Sequence, residues 1–160
     1  MNEFVVDLPT RRATTAFARC IAQVARPGDL YILAGPLGAG KTFLVRAVCR
    51  ALGLDRSVRV TSPTFTLVHE YPTVPPVVHA DLYRVESRVD VEELGLVEQR
   101  DRGNVLFVEW GDAHAAALGG DAVVIELSVA PRRAHVRATG SVSAARAEAL
   151  HSSTSVLADA

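Results

Sequence analysis

An α/β fold in three layers, with a mixed sheet between two layers of helices, is predicted by three features of the sequence. Residues 30–34 and 105–108 are uninterrupted apolar runs of strand length, which are typical of buried parallel strands. Stretches in which apolar residues recur at helical spacing alternate with these runs. Other short strands are separated by proline-containing turns, which predicts antiparallel hairpins beside the parallel centre.

Local signals place each element in turn. Thr10 is suited to cap the first helix, Gly53 ends the second, and Asp90 with Glu93 resembles a capping box that opens the third. Helices are predicted at residues 10–24, 41–52 and 90–95. Strands are predicted at residues 4–6, 29–34, 64–71, 77–83, 105–108, 122–128 and 134–139.

The length of 160 residues indicates one domain, and 49% hydrophobic with 22% charged residues is the composition of a globular protein. We assign residues 1–140 to this domain. From residue 141 the chain is rich in alanine and serine with scattered charges. We expect residues 141–160 to be a mobile tail, in which residues 144–150 form at most a turn or two of helix.

The formal net charge of −1 gives no reason to expect a direct grip on a nucleic-acid backbone, so a role in RNA chemistry requires a partner. The two cysteines, Cys20 and Cys49, lack the spacing of a metal site, which favours reduced thiols and a cytoplasmic location. No apolar stretch of about 18 residues is present, so we expect no membrane span.

Residues 35–42, GPLGAGKT, match the phosphate-binding pattern G-x-x-x-x-G-K-[ST] between an apolar strand and an amphipathic helix. Such a P-loop wraps a polyphosphate with backbone N–H groups, and glycines allow the close approach. Lys41 reaches the phosphates, as a solvated cation while the loop is empty, and the Thr42 hydroxyl ligates Mg²⁺. The sequence therefore predicts a P-loop NTPase-like fold that binds ATP with Mg²⁺. The predicted contacts of this segment are Gly35, Leu37, Gly38, Ala39, Gly40, Lys41, Thr42 and Phe43.

Three further segments offer groups that act on a bound triphosphate. Glu109 ends an apolar strand, the usual place of a second acidic group near Mg²⁺, although a surface glutamate capping a core strand has the same form. Asp81 alternates with His79 and Tyr83, so the three lie on one strand face that is either a solvated edge or a site. Residues 61–66 occupy the position of a switch loop or of an ordinary Ser-Pro turn. Trp110 is equally consistent with packing and with an exposed platform.

The motifs GPLGAGKT, SPTFTLV, HADLYR and VEW, in this order, resemble the TsaE family, bacterial ATPases that assist N6-threonylcarbamoyladenosine formation in tRNA. The resemblance covers residues 4–139. It implies that Thr42 and Glu109 ligate Mg²⁺, and that Asp81 acts near the γ-phosphate as base or water-positioner. The catalytic residues implied are thus Lys41, Asp81 and Glu109. Around the nucleotide, the family pattern places Thr64 in a switch-like loop and puts Thr10, Arg11 and Arg132 beside the adenine.

The resemblance also implies partners. Members of this family assist a complex of TsaB and TsaD, in which TsaD transfers the threonylcarbamoyl group to adenosine, and they hydrolyse ATP poorly alone. The tRNA would then be contacted only indirectly, through the complex.

Other P-loop functions remain open at this point. A small-molecule kinase needs an acceptor site and an arginine-rich lid, and no basic cluster is placed for one in the sequence. A GTPase needs an N-K-x-D motif and a D-x-x-G switch, and neither occurs. A non-catalytic, nucleotide-dependent scaffold would keep Lys41 and Thr42 but would need no group at Asp81.

Overall fold

The computed structural model describes residues 3–158, which form a seven-stranded sheet flanked by helices. The strands are β1 (Glu3–Asp7), β2 (Leu30–Ala34), β3 (Val68–Tyr71), β4 (Val77–Asp81), β5 (Val105–Glu109), β6 (Val123–Val129) and β7 (Arg132–Ala138). The helices are α1 (Arg11–Val24), α2 (Lys41–Ala51), α3 (Arg88–Glu93), α4 (Leu96–Asp101) and α5 (Ser141–Ala158). Two short 3₁₀ turns, Asp112–His114 and Ala116–Leu118, follow β5.

The strand order is β1-β7-β6-β2-β5-β4-β3. Strand β2 pairs in parallel with both β5 and β6, and β4 pairs in parallel with β5. The β3–β4 and β6–β7 pairs are antiparallel hairpins, and β1 adds to β7 in the antiparallel sense. The predicted mixed sheet with a parallel centre and antiparallel hairpins is therefore confirmed.

Strand β2 shows how the sequence makes three layers. Its side chains alternate between the two faces of the sheet, so Tyr31 and Leu33 join one apolar core while Leu30 and Ile32 join the other. Helices α1, α2 and α5 bury side chains in the first core, and α3 and α4 bury theirs in the second. Because both faces are covered, the central strands are apolar throughout instead of alternating.

The prediction of a mobile tail from residue 141 is wrong for residues 141–158, which form α5 and pack against α1 and β7. The buried positions are Ser143, Ala147, Leu150 and Thr154, which share one face of the helix. Apart from Leu150, the side chains of this face are small or polar, so the helix lacks the apolar contrast by which amphipathic helices are recognised. The helix belongs to the same unit as the predicted domain, and residues 159 and 160 of the predicted tail lie outside the described residues.

Some local expectations also differ from the structure. The strand predicted from residue 64 begins at Val68, because Leu67 has a φ of 68° and closes a turn by donating to the Pro63 carbonyl. Helix α3 is capped by Ser87, whose hydroxyl accepts from the Asp90 N–H, so Asp90 stands in the first turn instead of capping it. Helix α4, which begins directly after Gly95, was not predicted.

Both cysteines, Cys20 and Cys49, are buried free thiols, and burial raises the pKa of Cys49 to about 12. A thiol with such a pKa is almost entirely protonated near neutral pH and is a poor nucleophile. Among the helices of residues 3–158, none combines the length and the apolar character that a membrane crossing requires.

Candidate functional site

The P-loop connects the end of β2 to the start of α2. Gly35 has a φ of +133°, and a Cβ at this position would lie 2.4 Å from the Leu127 carbonyl oxygen, so a side chain is excluded. Gly40 has a φ of 103° and stands at the N-cap of α2 without a side chain to occupy the helix terminus. The first amides of α2 are therefore free to bind an anion, and the helix dipole favours it.

Lys41 differs from the expectation of a solvated cation, since only 6% of the residue is exposed. Its Nζ donates to the carbonyl oxygens of Gly35 (2.6 Å) and Pro36 (3.4 Å), and it lies 4.0 Å from the centre of the Trp110 ring. Burial lowers the pKa of Lys41, while nearby carboxylates, Glu109 foremost, oppose this effect. The ammonium group is thus held inside the loop by carbonyl oxygens and an aromatic face.

Two carboxylates end neighbouring parallel strands at the carboxyl edge of the sheet. Asp81 of β4 is in register with Glu109 of β5, and both are buried. The Thr42 hydroxyl donates to Glu109 Oε2 at 3.1 Å, and His79 Nε2 contacts the same oxygen at 2.5 Å. A hydroxyl and a carboxylate oxygen, the ligand types that Mg²⁺ accepts, therefore converge at the start of α2.

Both carboxylate oxygens of Asp81 accept hydrogen bonds. The Ser62 hydroxyl donates to Oδ2 at 2.9 Å, and the Tyr83 N–H donates to Oδ1 at 2.9 Å. The Thr64 hydroxyl donates in turn to Ser62 at 3.3 Å, so the loop of residues 61–66 is tied to β4 through this carboxylate. Of the three residues predicted on one strand face, His79 and Asp81 are buried and only Tyr83 is exposed, which excludes a solvated edge for the first two.

Two cavities meet at the P-loop. The outer cavity, about 360 Å³, lies between the start of α1, the P-loop and the β6–β7 hairpin. The carboxylate cavity, about 400 Å³, lies between α2, the 61–66 loop and the ends of β4 and β5. Predicted residues lining the outer cavity are Thr10, Arg11, Gly38, Ala39, Gly40, Phe43 and Arg132. Those lining the carboxylate cavity are Leu37, Gly38, Gly40, Lys41, Thr42, Phe43, Thr64, Asp81 and Glu109. Gly35, the remaining predicted residue, lies behind Lys41 as its hydrogen-bond acceptor.

The structure adds site residues that were not predicted. Ser62 binds Asp81, and His79 binds Glu109. Trp110 has a φ of 60°, which turns its ring over Lys41 and within 5.0 Å of the Tyr83 ring, so it is part of the site. The signals in the sequence were the Ser-Pro turn and the alternation along β4, but neither shows which partner a side chain contacts.

Within residues 3–158, no group of three or more histidine, cysteine, aspartate and glutamate side chains is arranged to enclose a metal ion. A cation at Thr42 and Glu109 would therefore need further oxygen ligands from a bound phosphate and from water, as Mg²⁺ at nucleotide sites has.

The fold and the loop together define an α/β protein of the P-loop class. A family model described as threonylcarbamoyl adenosine biosynthesis protein TsaE matches residues 8–137. The chain therefore belongs to the TsaE family.

Relatives and a solved structure agree with this assignment. The protein of Streptomyces coelicolor named tRNA threonylcarbamoyladenosine biosynthesis protein TsaE is 38% identical, over 76% of this chain and 86% of the relative. The Bacillus subtilis protein of the same name is 44% identical, over 61% of this chain and 60% of the relative. The crystal structure of Bacillus subtilis YdiB has a TM-score of 0.72 and 29% identity, and the match covers 93% of this chain and 94% of that one.

Proposed function

We propose that this chain is a Mg²⁺-dependent ATPase that assists threonylcarbamoyladenosine formation in tRNA, in the cytoplasm and docked on TsaB and TsaD. The observation that carries the proposal is the pair of buried carboxylates, Asp81 and Glu109, in register at the ends of β4 and β5 and facing the start of α2. Buried carboxylates beside a phosphate-binding loop are costly unless a cation or a catalytic task accompanies them.

The phosphates bind the amides of the P-loop and the N-terminus of α2. Lys41 exchanges its contact with the Gly35 carbonyl oxygen for the phosphate oxygens, an anionic acceptor that a buried ammonium binds more strongly. The adenine occupies the outer cavity, where Thr10, Arg11 and Arg132 line the wall.

The oxygen atoms at the start of α2 fit Mg²⁺. Thr42 Oγ1 and Glu109 Oε2, 3.1 Å apart, would hold it together with phosphate oxygens. When bound, Mg²⁺ neutralises the negative charge of the phosphates. His79 fixes the Glu109 carboxylate in place and is itself fully buried, so the orientation of the ligand is set by the core of the sheet.

Asp81 orients the attacking water or accepts its proton. Both of its oxygens are bound, by the Ser62 hydroxyl and the Tyr83 N–H, so its direction is coupled to the 61–66 loop. A shift of that loop on docking would release Asp81 Oδ2 for water. This accounts for an ATPase that is slow alone and faster with its partners.

The test is phosphate release by Asp81→Asn in the complex reconstituted with TsaB, TsaD and tRNA. The substitution preserves shape, so ATP binding and complex formation are retained while partner-stimulated release falls by about a hundredfold or more. Asp112→Asn is the matched control, because Asp112 is an exposed carboxylate close enough to influence Lys41 but does not line the carboxylate cavity. Wild-type release by Asp81→Asn would favour a scaffold that binds ATP without using this carboxylate.

A further inference from the structure

Positive charge is concentrated in one part of a chain whose net charge is −1. Residues 8–54, which include α1, β2 and α2, contain seven lysine and arginine residues and one acidic residue, Asp29. The rest of the chain contains ten basic and seventeen acidic residues. Helices α1 and α2 themselves contain no acidic residue.

Asp29 does not offset this charge at the surface. It is buried, and its carboxylate accepts from Arg146 Nε of α5 at 2.6 Å and from the Arg26 N–H at 2.8 Å. The arginines on the outer side of α1 and α2 therefore face solvent without a compensating carboxylate on either helix.

Three of these arginines and a fourth from the loop after α2 surround one cleft of about 390 Å³ between α1, α2 and that loop. Arg19 comes from α1, Arg46 and Arg50 come from α2, and Arg56 comes from the loop. We call these four residues the basic face. Phe43 also lines the cleft, and its ring is partly exposed.

Part of the basic face is held in position by backbone carbonyl groups. Arg50 donates to the carbonyl oxygens of Asp55 and Val58, each at 2.6 Å, and Arg46 donates to that of Val60 at 3.3 Å. A carbonyl oxygen fixes a guanidinium group without neutralising it. Arg46 and Arg50 thus have a structural role in holding residues 55–60, and they keep their charge.

Arg19 and Arg56 have no such role. Both are exposed, and in the part of the chain that the structure describes neither side chain makes a hydrogen bond or an ion pair. Across residues 3–158, none of the four arginines of the basic face forms an ion pair. Their charge is available to a ligand.

We propose that the basic face binds the phosphate backbone of an RNA directly. Planar guanidinium groups bind phosphate oxygens with paired N–H donors, and Phe43 offers a ring on which a base can stack. No carboxylate of the described residues lines the cleft, so a phosphate group would meet only positive charge there. The proposal goes beyond the proposed function, and it departs from the expectation from the sequence that RNA is contacted only through partners.

The experiment measures binding of a transcribed tRNA by fluorescence anisotropy over a range of potassium chloride concentrations. Wild-type protein binds at low salt, and Arg19→Gln with Arg56→Gln binds less tightly. Loss of two phosphate contacts lowers the slope of log K against log salt by about 1.4 to 1.8. The matched control is Arg102→Gln with Arg137→Gln, which removes the same charge from exposed arginines away from the cleft and keeps the wild-type slope.

The proposal would be overturned if the wild type did not bind tRNA at low salt, or if the control variant lost as much tRNA affinity as Arg19→Gln with Arg56→Gln. It would also be overturned if polyglutamate competed with tRNA as well as unlabelled tRNA does, which would indicate an acidic protein partner. ATP binding is measured on the same samples. It stays at the wild-type level in both double variants, so failure of RNA binding is distinguished from failure of the proposed ATPase.

Discussion

At the residue scale, Glu109 is the side chain on which the contacts of the carboxylate cavity converge. One of its oxygens accepts from the Thr42 hydroxyl and contacts His79 Nε2. His79 Nδ1 has no hydrogen-bond partner among the described residues, so the contact of Nε2 with Glu109 is the only hydrogen bond that the ring makes there. An imidazole placed in the core for a single carboxylate contact is a positioning residue for that carboxylate.

His79→Leu tests this role, because leucine fills much of the same space and removes the contact. We expect ATP affinity in the presence of Mg²⁺ to fall by about tenfold to a hundredfold, the usual loss when a residue behind a metal ligand is removed. Affinity without Mg²⁺ should change little. Titration calorimetry with and without Mg²⁺ measures both. His114→Leu is the control, since the hydrogen bond of His114 within residues 3–158 is to the Val85 carbonyl oxygen, away from Glu109. Equal losses in the two conditions would show that His79 serves packing alone.

The sequence predicts which residues the P-loop brings together, but not which side chains from other elements contact them. The glycines, Lys41 and Thr42 follow a short-range pattern imposed by one loop, so their places could be predicted from spacing. The pairing of His79 with Glu109 and of Ser62 with Asp81 spans 30 and 19 residues along the chain. Such contacts depend on strand register, which short-range patterns do not specify.

At the element scale, α5 is joined to the sheet by an ion pair at the start of β2. The guanidinium nitrogens of Arg146 lie 2.6 and 3.3 Å from the two carboxylate oxygens of Asp29. The Tyr31 hydroxyl also donates a hydrogen bond to Asp29, at 3.4 Å. The side chain of Asp29 is 6% exposed and that of Arg146 is 19% exposed. The pair therefore links the helix that the sequence did not predict to the strand that leads into the P-loop.

Arg146→Met removes the charge and keeps an apolar chain of similar length. The Asp29 carboxylate then stays buried with fewer donors, and we expect a loss of about 3 kcal/mol in the free energy of unfolding. Urea denaturation measures this loss. Arg133→Met is the control, because its partner Asp7 is 74% exposed and a surface pair contributes less than about 1 kcal/mol. If the free energy of unfolding fell equally in both variants, the Arg146–Asp29 pair would contribute no more than an exposed ion pair.

Elements with a strong apolar pattern were predicted, and those that depend on other interactions were not. Strand β2 and helix α2 have continuous or periodic apolar residues, and their observed bounds differ little from the predicted ones. Helix α5 buries only one leucine, Leu150, beside alanine, serine and threonine, and it is anchored by the pair of Arg146 with a residue 117 positions away. Local sequence contains no sign of that anchor.

At the scale of the whole molecule, the distribution of charge matters more than the net value. A net charge of −1 argued against contact with RNA, yet residues 8–54 are strongly basic and the segment from Glu86 to Asp101 is rich in acidic residues. In the net charge of the chain, the charges of these two regions cancel, although the fold places them on different elements. The proposed RNA contact follows from that separation, which composition alone could not reveal.

The outer cavity is also a property of the whole molecule, since the segment before α1, the P-loop and the β6–β7 hairpin each form part of its wall. Guanine is usually selected by a carboxylate that accepts from its ring N–H and amino group. Within the described residues, no carboxylate lines this cavity, and its charged side chains are Arg11, Arg132 and Arg133. Such a wall has no carboxylate to accept from both guanine donors at once, and it would face an adenine ring with cations and hydroxyl groups.

We therefore expect ATP to bind at least tenfold more tightly than GTP, because leaving the guanine donors unpaired costs about 1–3 kcal/mol. Competition of each nucleotide against a fluorescent ATP analogue measures the ratio, with Mg²⁺ present throughout. Ser128→Asp introduces a carboxylate into the same wall and should lower the ratio of ATP affinity to GTP affinity. Ser128→Asn introduces a side chain of the same size without the charge, and should lower this ratio by a smaller factor. Equal competition by GTP and ATP in the wild type would place the base outside this cavity.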